Sequence, residues 1–370
     1  MRIITVTFHR AENYGAVLQC YALQKVLLNM GHDAKVLDLG EEREMYLPVF
    51  ENVRYIHRRV IFNLQRWKDR RVLQNRRKRF HDFIDQNLVL TEHFATIQEL
   101  YANVPDSDCY ITGSDQVWNP EMYPELVPLY RLDFVGQNQK KYSYAASFGK
   151  YVPENDSQIW DSLQSYQMIS VREKSALYML DQHGLKARMD IDPVFLMDKS
   201  EWDRVSSDVR TQYKLPDRYI LVFELIPRND MDDVVNAMKA LYKIPQTVVV
   251  SLSDKVHYFG DMCIRDAGPG ELLGLIRNAG AVVSTSFHGA MLSLIMEREV
   301  YAMPAAAQER FLNVFNELNL GKRVITDFNT ELDDERINYN LVRPVLQKVK
   351  NNAMQYLYQI TGDELRGETI

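Results

Sequence analysis

Short runs rich in β-branched residues alternate with amphipathic helical stretches along most of this chain. That alternation predicts parallel sheets covered by helices, an α/β fold. Residues 3–8, 34–37, 109–112 and 141–145 read as strands of a first unit. Residues 168–171, 219–224, 247–251 and 281–284 read as strands of a second, since apolar runs without polar alternation mark strands buried on both faces. At 370 residues the chain exceeds the usual size of one domain. The boundary is expected near residue 165, giving units 1–165 and 166–340, with an amphipathic terminal stretch, 341–370, packing back across both. After Asn13 a helix should place Ala16, Cys20, Leu23, Val26, Leu27 and Met30 on one face before Gly31 stops it.

The opening residues begin a strand at once, and no apolar run is long enough to serve as a leader or to span a bilayer, so a cytoplasmic location is expected. Cys20, Cys109 and Cys263 sit singly, with no CxxC and no histidine pair at ligand spacing, which predicts reduced core thiols and no metal site. A net charge of −6 speaks against general nucleic-acid binding.

In open parallel sheets ligands sit beyond the carboxyl ends of the strands, so the polar residues following each apolar run are the candidates. After the first strand come Asn13, Tyr14 and Gly15, where Asn13 can cap a helix and Gly15 lets a ligand approach backbone N–H groups. Gly113-Ser114-Asp115-Gln116-Val117-Trp118 combines a turn, a carboxylate, an amide and an indole, a mixture suited to sugars. It reads equally as a tight turn with a core tryptophan. Ala146-Ser147-Phe148-Gly149 ends another strand and is either a ligand loop or a close-packed turn. Arg172, where strand gives way to helix, suits a phosphate or carboxylate, or else a surface salt bridge. Ser284-Thr285-Ser286-Phe287-His288-Gly289 follows the last buried strand. It offers hydroxyls and helix-terminal N–H groups beside an imidazole able to act as acid and base.

These motifs, with Leu18-Gln19 and Asp192-Pro193, resemble the polysaccharide pyruvyl transferase family over residues 1 to about 320. The resemblance implies a GT-B-like architecture of two Rossmann-like domains, acceptor side first and donor side second. It also implies phosphoenolpyruvate as donor substrate, no other cofactor, and a sugar or lipid-linked sugar as acceptor, giving a pyruvate ketal in surface polysaccharide biosynthesis. Carried over by position, the family histidine falls on His288 and an anion-binding arginine on Arg172. Members similar to this chain often carry a second arginine two residues before the histidine. This chain has Ser286 there, with Arg277, Arg298 and Arg310 as substitutes. His288 and Asp115 are then the expected acid–base residues. Arg172, Ser284, Thr285, Ser286, Gly289 and Arg310 are expected on the donor, and Asn13, Tyr14, Gly15, Gln116, Trp118 and Ser147 on the acceptor.

Two other readings stay open at this point. Gly268-Pro269-Gly270 before a helix would suit a nucleotide-sugar glycosyltransferase, although the position where such enzymes hold a ribose-binding glutamate falls near Ser293, with Glu297 a turn too late. Loss of the family arginine at Ser286 would suit a non-catalytic glycan-binding protein. Residues 54–79 hold eleven Lys and Arg against one acid, Asp69. Val60, Leu64, Trp67 and Leu73 can share an apolar stripe there. The stretch is either a solvated helical insertion or a basic helix that docks on anionic lipid headgroups at the inner membrane face or on the pyrophosphate of a lipid-linked sugar.

Overall fold

The computed structural model describes residues 1–39, 56–122, 124–153, 156–252, 258, 260–305, 308–327 and 332–363. Strands β1 (Arg2–Val6), β2 (Asp33–Leu39), β3 (Leu90–Phe94), β4 (Cys109–Thr112) and β5 (Lys140–Ser143) form one sheet in the order β3-β2-β1-β4-β5, all parallel. Beyond β5 lie the short strands β6 (Ile169–Val171) and β7 (Ala187–Met189), which pair with each other. Bridges Tyr142↔Met168 and Ala146↔Val171 join them to the β5 edge, as do the hydrogen bonds Ser143 Oγ to Ser170 O and Ser170 N to Ser143 Oγ. The strand expected to open the second unit therefore extends the first sheet. β6 runs on from the β5 edge because its serine backbone pairs there, which residue-level apolarity cannot reveal.

The second sheet comprises β8 (Ile220–Glu224), β9 (Thr247–Ser251), β10 (Met262–Ile264), β11 (Ala281–Ser284) and β12 (Val300–Ala302). They run parallel in the order β10-β9-β8-β11-β12. Each sheet thus repeats one winding, in which the chain moves outward from a first strand and then crosses to its other side. The crossover leaves a crevice at the carboxyl ends of β1 and β4 in one sheet and of β8 and β11 in the other, where α/β sheets bind ligands.

Apolar packing continues between the two units. Tyr14, at the start of the first helix (Tyr14–Asn29), lies with its ring 5.0 Å from Phe80 and 5.5 Å from Phe223, and its hydroxyl donates to Ala267 O at 2.7 Å. The C-terminal helix (Tyr339–Thr361) begins on the second unit, where Tyr339 donates to Arg298 O. It ends on the first, where Ala353, Tyr356, Leu357 and Ile360 pack with Ile3, Leu27 and Tyr144, and Tyr356 donates to Ser143 O at 2.7 Å.

Three details of the sequence reading change. Cys20 and Cys109 are buried, but Cys263 is exposed, because it lies on the edge strand β10. The basic stretch belongs to one long helix, Ile56–Asn87; Arg54 and the side chains of Val60, Leu64 and Trp67 lie outside the described residues. Its last turns do not form a free cationic face. Arg76 and Arg77 pair with Glu12, Arg76 also donates to Leu252 O, and Arg79 pairs with Asp266. These contacts brace the helix against both units. Among the described residues no helix is long and apolar enough to cross a membrane.

Candidate functional site

The crevices of the two sheets face one another, and the side chains that meet there come from four strand ends. Asp115 follows β4 at a φ of 75°, a left-handed conformation that Asp tolerates better than bulkier residues. Arg172 follows β6, Asp192 follows β7, and His288 follows β11 in the opening turn of the helix Phe287–Ile295. Arg172 is buried and donates from Nη1 to Asp192 Oδ2 at 2.7 Å and from Nη2 to Asp115 Oδ1 at 3.1 Å. His288 Nε2 lies 3.2 Å from the same Asp192 Oδ2. The other nitrogen, Nδ1, rests against Gly15 of the first unit, where an added Cβ would stand 2.0 Å from it. The imidazole of the second unit is therefore held by two elements of the first.

Charge explains why these groups stay together. Burial pushes the Asp192 carboxyl up, but the His288 imidazole and the Arg172 guanidinium outweigh it and hold the group below the usual carboxylate range. Asp115 behaves alike: burial raises it, and Arg172 followed by His288 brings it down. For Arg172, desolvation disfavours the charge, while Asp115, Asp192 and Glu173 more than restore it. Arg310 is different. Its guanidinium stands 5.3 Å over the Phe287 ring, which Arg172 also approaches at 5.9 Å, and burial and then the neighbouring Arg172 make its charge harder to keep. Among the described residues no carboxylate forms an ion pair with Arg310; Asp115, Glu173 and Asp192 favour its charge only from further off. Residues 13–304 match the family described as polysaccharide pyruvyl transferase. The chain belongs to this family.

No curated protein matches the chain. Among solved structures, this pyruvyl transferase family member is similar to UDP-GlcNAc 2-epimerase from Methanocaldococcus jannaschii, at 11% identity over 95% of this chain and 93% of that one, with a TM-score of 0.50. It also resembles the UDP-GlcNAc 2-epimerase of Neisseria meningitidis bound to UDP-GlcNAc, at 10% identity, 95% and 100% coverage and a TM-score of 0.47. An alpha-glucosyltransferase in complex with UDP and a 13-mer DNA matches at 10% identity, 97% and 95% coverage and a TM-score of 0.48. At such identities the likeness is one of fold, two Rossmann-like domains in the GT-B arrangement.

Several residues expected to touch ligand are occupied otherwise. Arg172 commits its terminal nitrogens to two carboxylates of its own chain, Asp192 and Asp115. Ser284 is buried and bonds Ser286 N and O, Thr285 Oγ1 accepts from Leu225 N and Ile226 N, and Ser286 caps the helix by accepting from Gly289 N. Gly289 is there because a Cβ would stand 2.2 Å from the Phe223 ring. These hydroxyls shape the turn that carries His288: Ser284 spends its O–H on Ser286 O, while Thr285 and Ser286 act in these bonds as acceptors. On the first unit, Asn13 caps the first helix through Gly15 N and Ala16 N, and Tyr14 is core. Trp118 is fully buried between Phe148 and Tyr166, which leaves no aromatic face for a sugar. Ser147 is buried and accepts from Gly149 N, while Gln116 is half-buried and accepts from Asn119. Among the described residues, Arg277 and Arg298 reach backbone carbonyls, respectively of Asp203 and Ser207 and of Met296 and Ala279. Arg310 alone of the three substitutes stands beside Arg172.

Sequence reasoning assigned no role to Asp192 or Glu173. Glu173 Oε1 accepts from Phe148 N, and its Oε2 faces Arg172 Nε at 4.0 Å, with both atoms buried. A signal for Asp192 existed in the Asp-Pro pair, which starts the 3₁₀ turn Pro193–Leu196. The three-residue strand before it was too short and too exposed to be recognised.

Gly15→Ala is expected to reduce turnover at least tenfold without unfolding the protein. Alanine is the better helix former, but its methyl group would drive the His288 ring off Asp192. Steady-state kinetics beside a thermal melt checks this; unchanged kcat would mean the ring can sit elsewhere.

Proposed function

We propose that this chain transfers pyruvate from phosphoenolpyruvate to two hydroxyls of one sugar, forming a pyruvate ketal on a surface polysaccharide precursor. The observation that carries the reading is the meeting of His288 with Asp115, Arg172 and Asp192 at the crevices of both sheets, beside the guanidinium of Arg310, which forms no ion pair among the described residues, in a member of the pyruvyl transferase family. In this reaction an acid protonates the methylene carbon of the enol and leaves an oxocarbenium-like carbon. A first sugar hydroxyl attacks that carbon and gives up its proton. The second hydroxyl then displaces phosphate from the same carbon, its proton passing to a base. His288 suits both the acid and the later base role, since an imidazole ring can give a proton in one step and take one in another. Arg310 supplies the cation for the donor phosphate or carboxylate. Asp115, already paired with Arg172, orients rather than accepts a proton. The reaction requires no cofactor.

Nucleotide-sugar transfer draws no support from the helix after the motif: Ser293 is buried and donates to Gly289 O, and Glu297 holds Arg343. A thermal-shift comparison separates the two readings, because a ligand that binds only the native state raises the melting temperature. Phosphoenolpyruvate should raise it and UDP-sugars should not; the reverse would contradict pyruvyl transfer. Arg310→Met should raise the donor KM roughly 10- to 100-fold, the scale of a lost charge-assisted hydrogen bond, with a smaller change in kcat. An unchanged donor KM would remove Arg310 from the site.

A lipid-carried acceptor gives the basic helix a use. Arg70 and Arg71 are exposed, unlike Arg76, which is committed to Glu12. Each exposed cation near an anionic membrane contributes on the order of 1 kcal/mol. Co-sedimentation with anionic vesicles should weaken as salt rises and fall in Arg70→Glu/Arg71→Glu. Equal recovery with neutral and anionic vesicles at low salt would exclude the membrane role.

A further inference from the structure

Asp192 is buried at 1% exposure, and both its oxygens are committed. Oδ1 accepts from Val194 N at 3.2 Å, closing the turn that leaves β7. Oδ2 accepts from Arg172 Nη1 at 2.7 Å and lies 3.2 Å from His288 Nε2. A carboxylate fastened by a backbone amide on one oxygen and a guanidinium on the other cannot rotate away from the imidazole. Ionised, it can only accept hydrogen bonds, so the ring nitrogen facing it must carry hydrogen. The groups of charge around His288 are Asp192, Asp115 and Arg172 from the first unit and, across the Phe287 ring, Arg310 from the second.

We propose that Asp192 is the positioning residue of His288: it fixes the neutral imidazole as the Nε2–H tautomer, leaving Nδ1 as the nitrogen that exchanges protons with substrate. This rests on the reading of His288 as the proton-transferring group. On the other side the ring fills the space that a Cβ of Gly15 would take, so no side chain of residue 15 offers Nδ1 a competing partner. Asp192 leaves the edge of the first sheet, whereas His288 belongs to the second unit. The tautomer is therefore set by a contact across the cleft, and the imidazole is correctly presented when the two units are together.

Nitrogen-15 spectra of histidine-labelled protein, with the His288 signals assigned by their loss in His288→Gln, read the tautomer directly. Above the imidazole titration the wild type should show hydrogen on Nε2 and none on Nδ1. Asp192→Asn should give a mixture of tautomers and lower kcat about 10²-fold or more with little change in donor KM, and Asp192→Glu should recover part of the loss. Asp115→Asn is the control, because it also removes a partner of Arg172 but should leave the tautomer intact. Hydrogen on Nδ1 in the wild type, or an unaltered tautomer in Asp192→Asn, overturns the proposal; the wild-type spectrum decides even if the variant does not fold. Full turnover in His288→Gln would instead overturn the proton-transfer role, independently of the tautomer.

Discussion

Replacing His288 by asparagine is expected to lower turnover by about 10² to 10⁴-fold, the usual contribution of a positioned acid–base group, while the fold persists. Asparagine can still place a donor near Asp192 but cannot exchange a proton near neutral pH. The structural cost should be small, because Asp192 keeps Arg172 and Val194 N as partners. Phosphate release from phosphoenolpyruvate, measured beside a thermal melt, checks both halves. Turnover near that of the wild type would reduce His288 to a clasp between the units.

Arg172→Met should act first on stability. Its guanidinium is the buried cation between Asp115 and Asp192, and removing one partner of such a network costs about 3 to 5 kcal/mol because the carboxylates stay behind uncompensated. The pH dependence has a definite sign. In the wild type both carboxyls are held below their usual range, so their stabilisation is present above about pH 4 and is lost only as pH falls through the depressed folded values. Without Arg172, the burial that raises the Asp115 carboxyl is opposed by His288 and Arg310 alone, so its folded value moves up. The folded variant then keeps its proton to higher pH than the folded wild type, and the stability gap widens as pH rises through that window. Denaturant midpoints of variant and wild type should therefore lie closer at about pH 5 than at about pH 8. A gap independent of pH, or a variant as stable as the wild type that merely raises the donor KM, would return Arg172 to the donor-binding role its position in the sequence suggested.

The difference between that role and the observed one shows where sequence reading stops. β4, β9 and β11 were legible to the residue, because CYIT, TVVVS and AVVS are apolar runs buried on both faces. β3, β7, β10 and β12 were not, since three- to five-residue strands, most of them at sheet edges, carry little periodicity. Losing β7 hid the strand end that carries Asp192. The positions of Asp115, Arg172 and His288 were legible as strand ends. Their partnership was not, because Asp115 and Arg172 are 57 residues apart and His288 and Asp192 are 96 apart. Trp118 and Tyr14 were misassigned for a related reason: an aromatic at a strand end looks the same in sequence whether it lines a cleft or fills a core, and here both are core. The hydroxyls of residues 284–286 marked the right turn but serve it as caps and braces, which serine and threonine do as readily as binding ligands.

The most direct test of the account is to incubate the purified chain with phosphoenolpyruvate and a panel of lipid-pyrophosphate-linked sugars ending in hexose or N-acetylhexosamine, following phosphate and the mass of the sugar product together. Pyruvyl transfer at the His288 cleft predicts acceptor-dependent phosphate release matched mole for mole by a pyruvate ketal on the sugar, both lost in His288→Asn. Consumption of a UDP-sugar by the same protein, with phosphoenolpyruvate left intact in the presence of every acceptor, would contradict it.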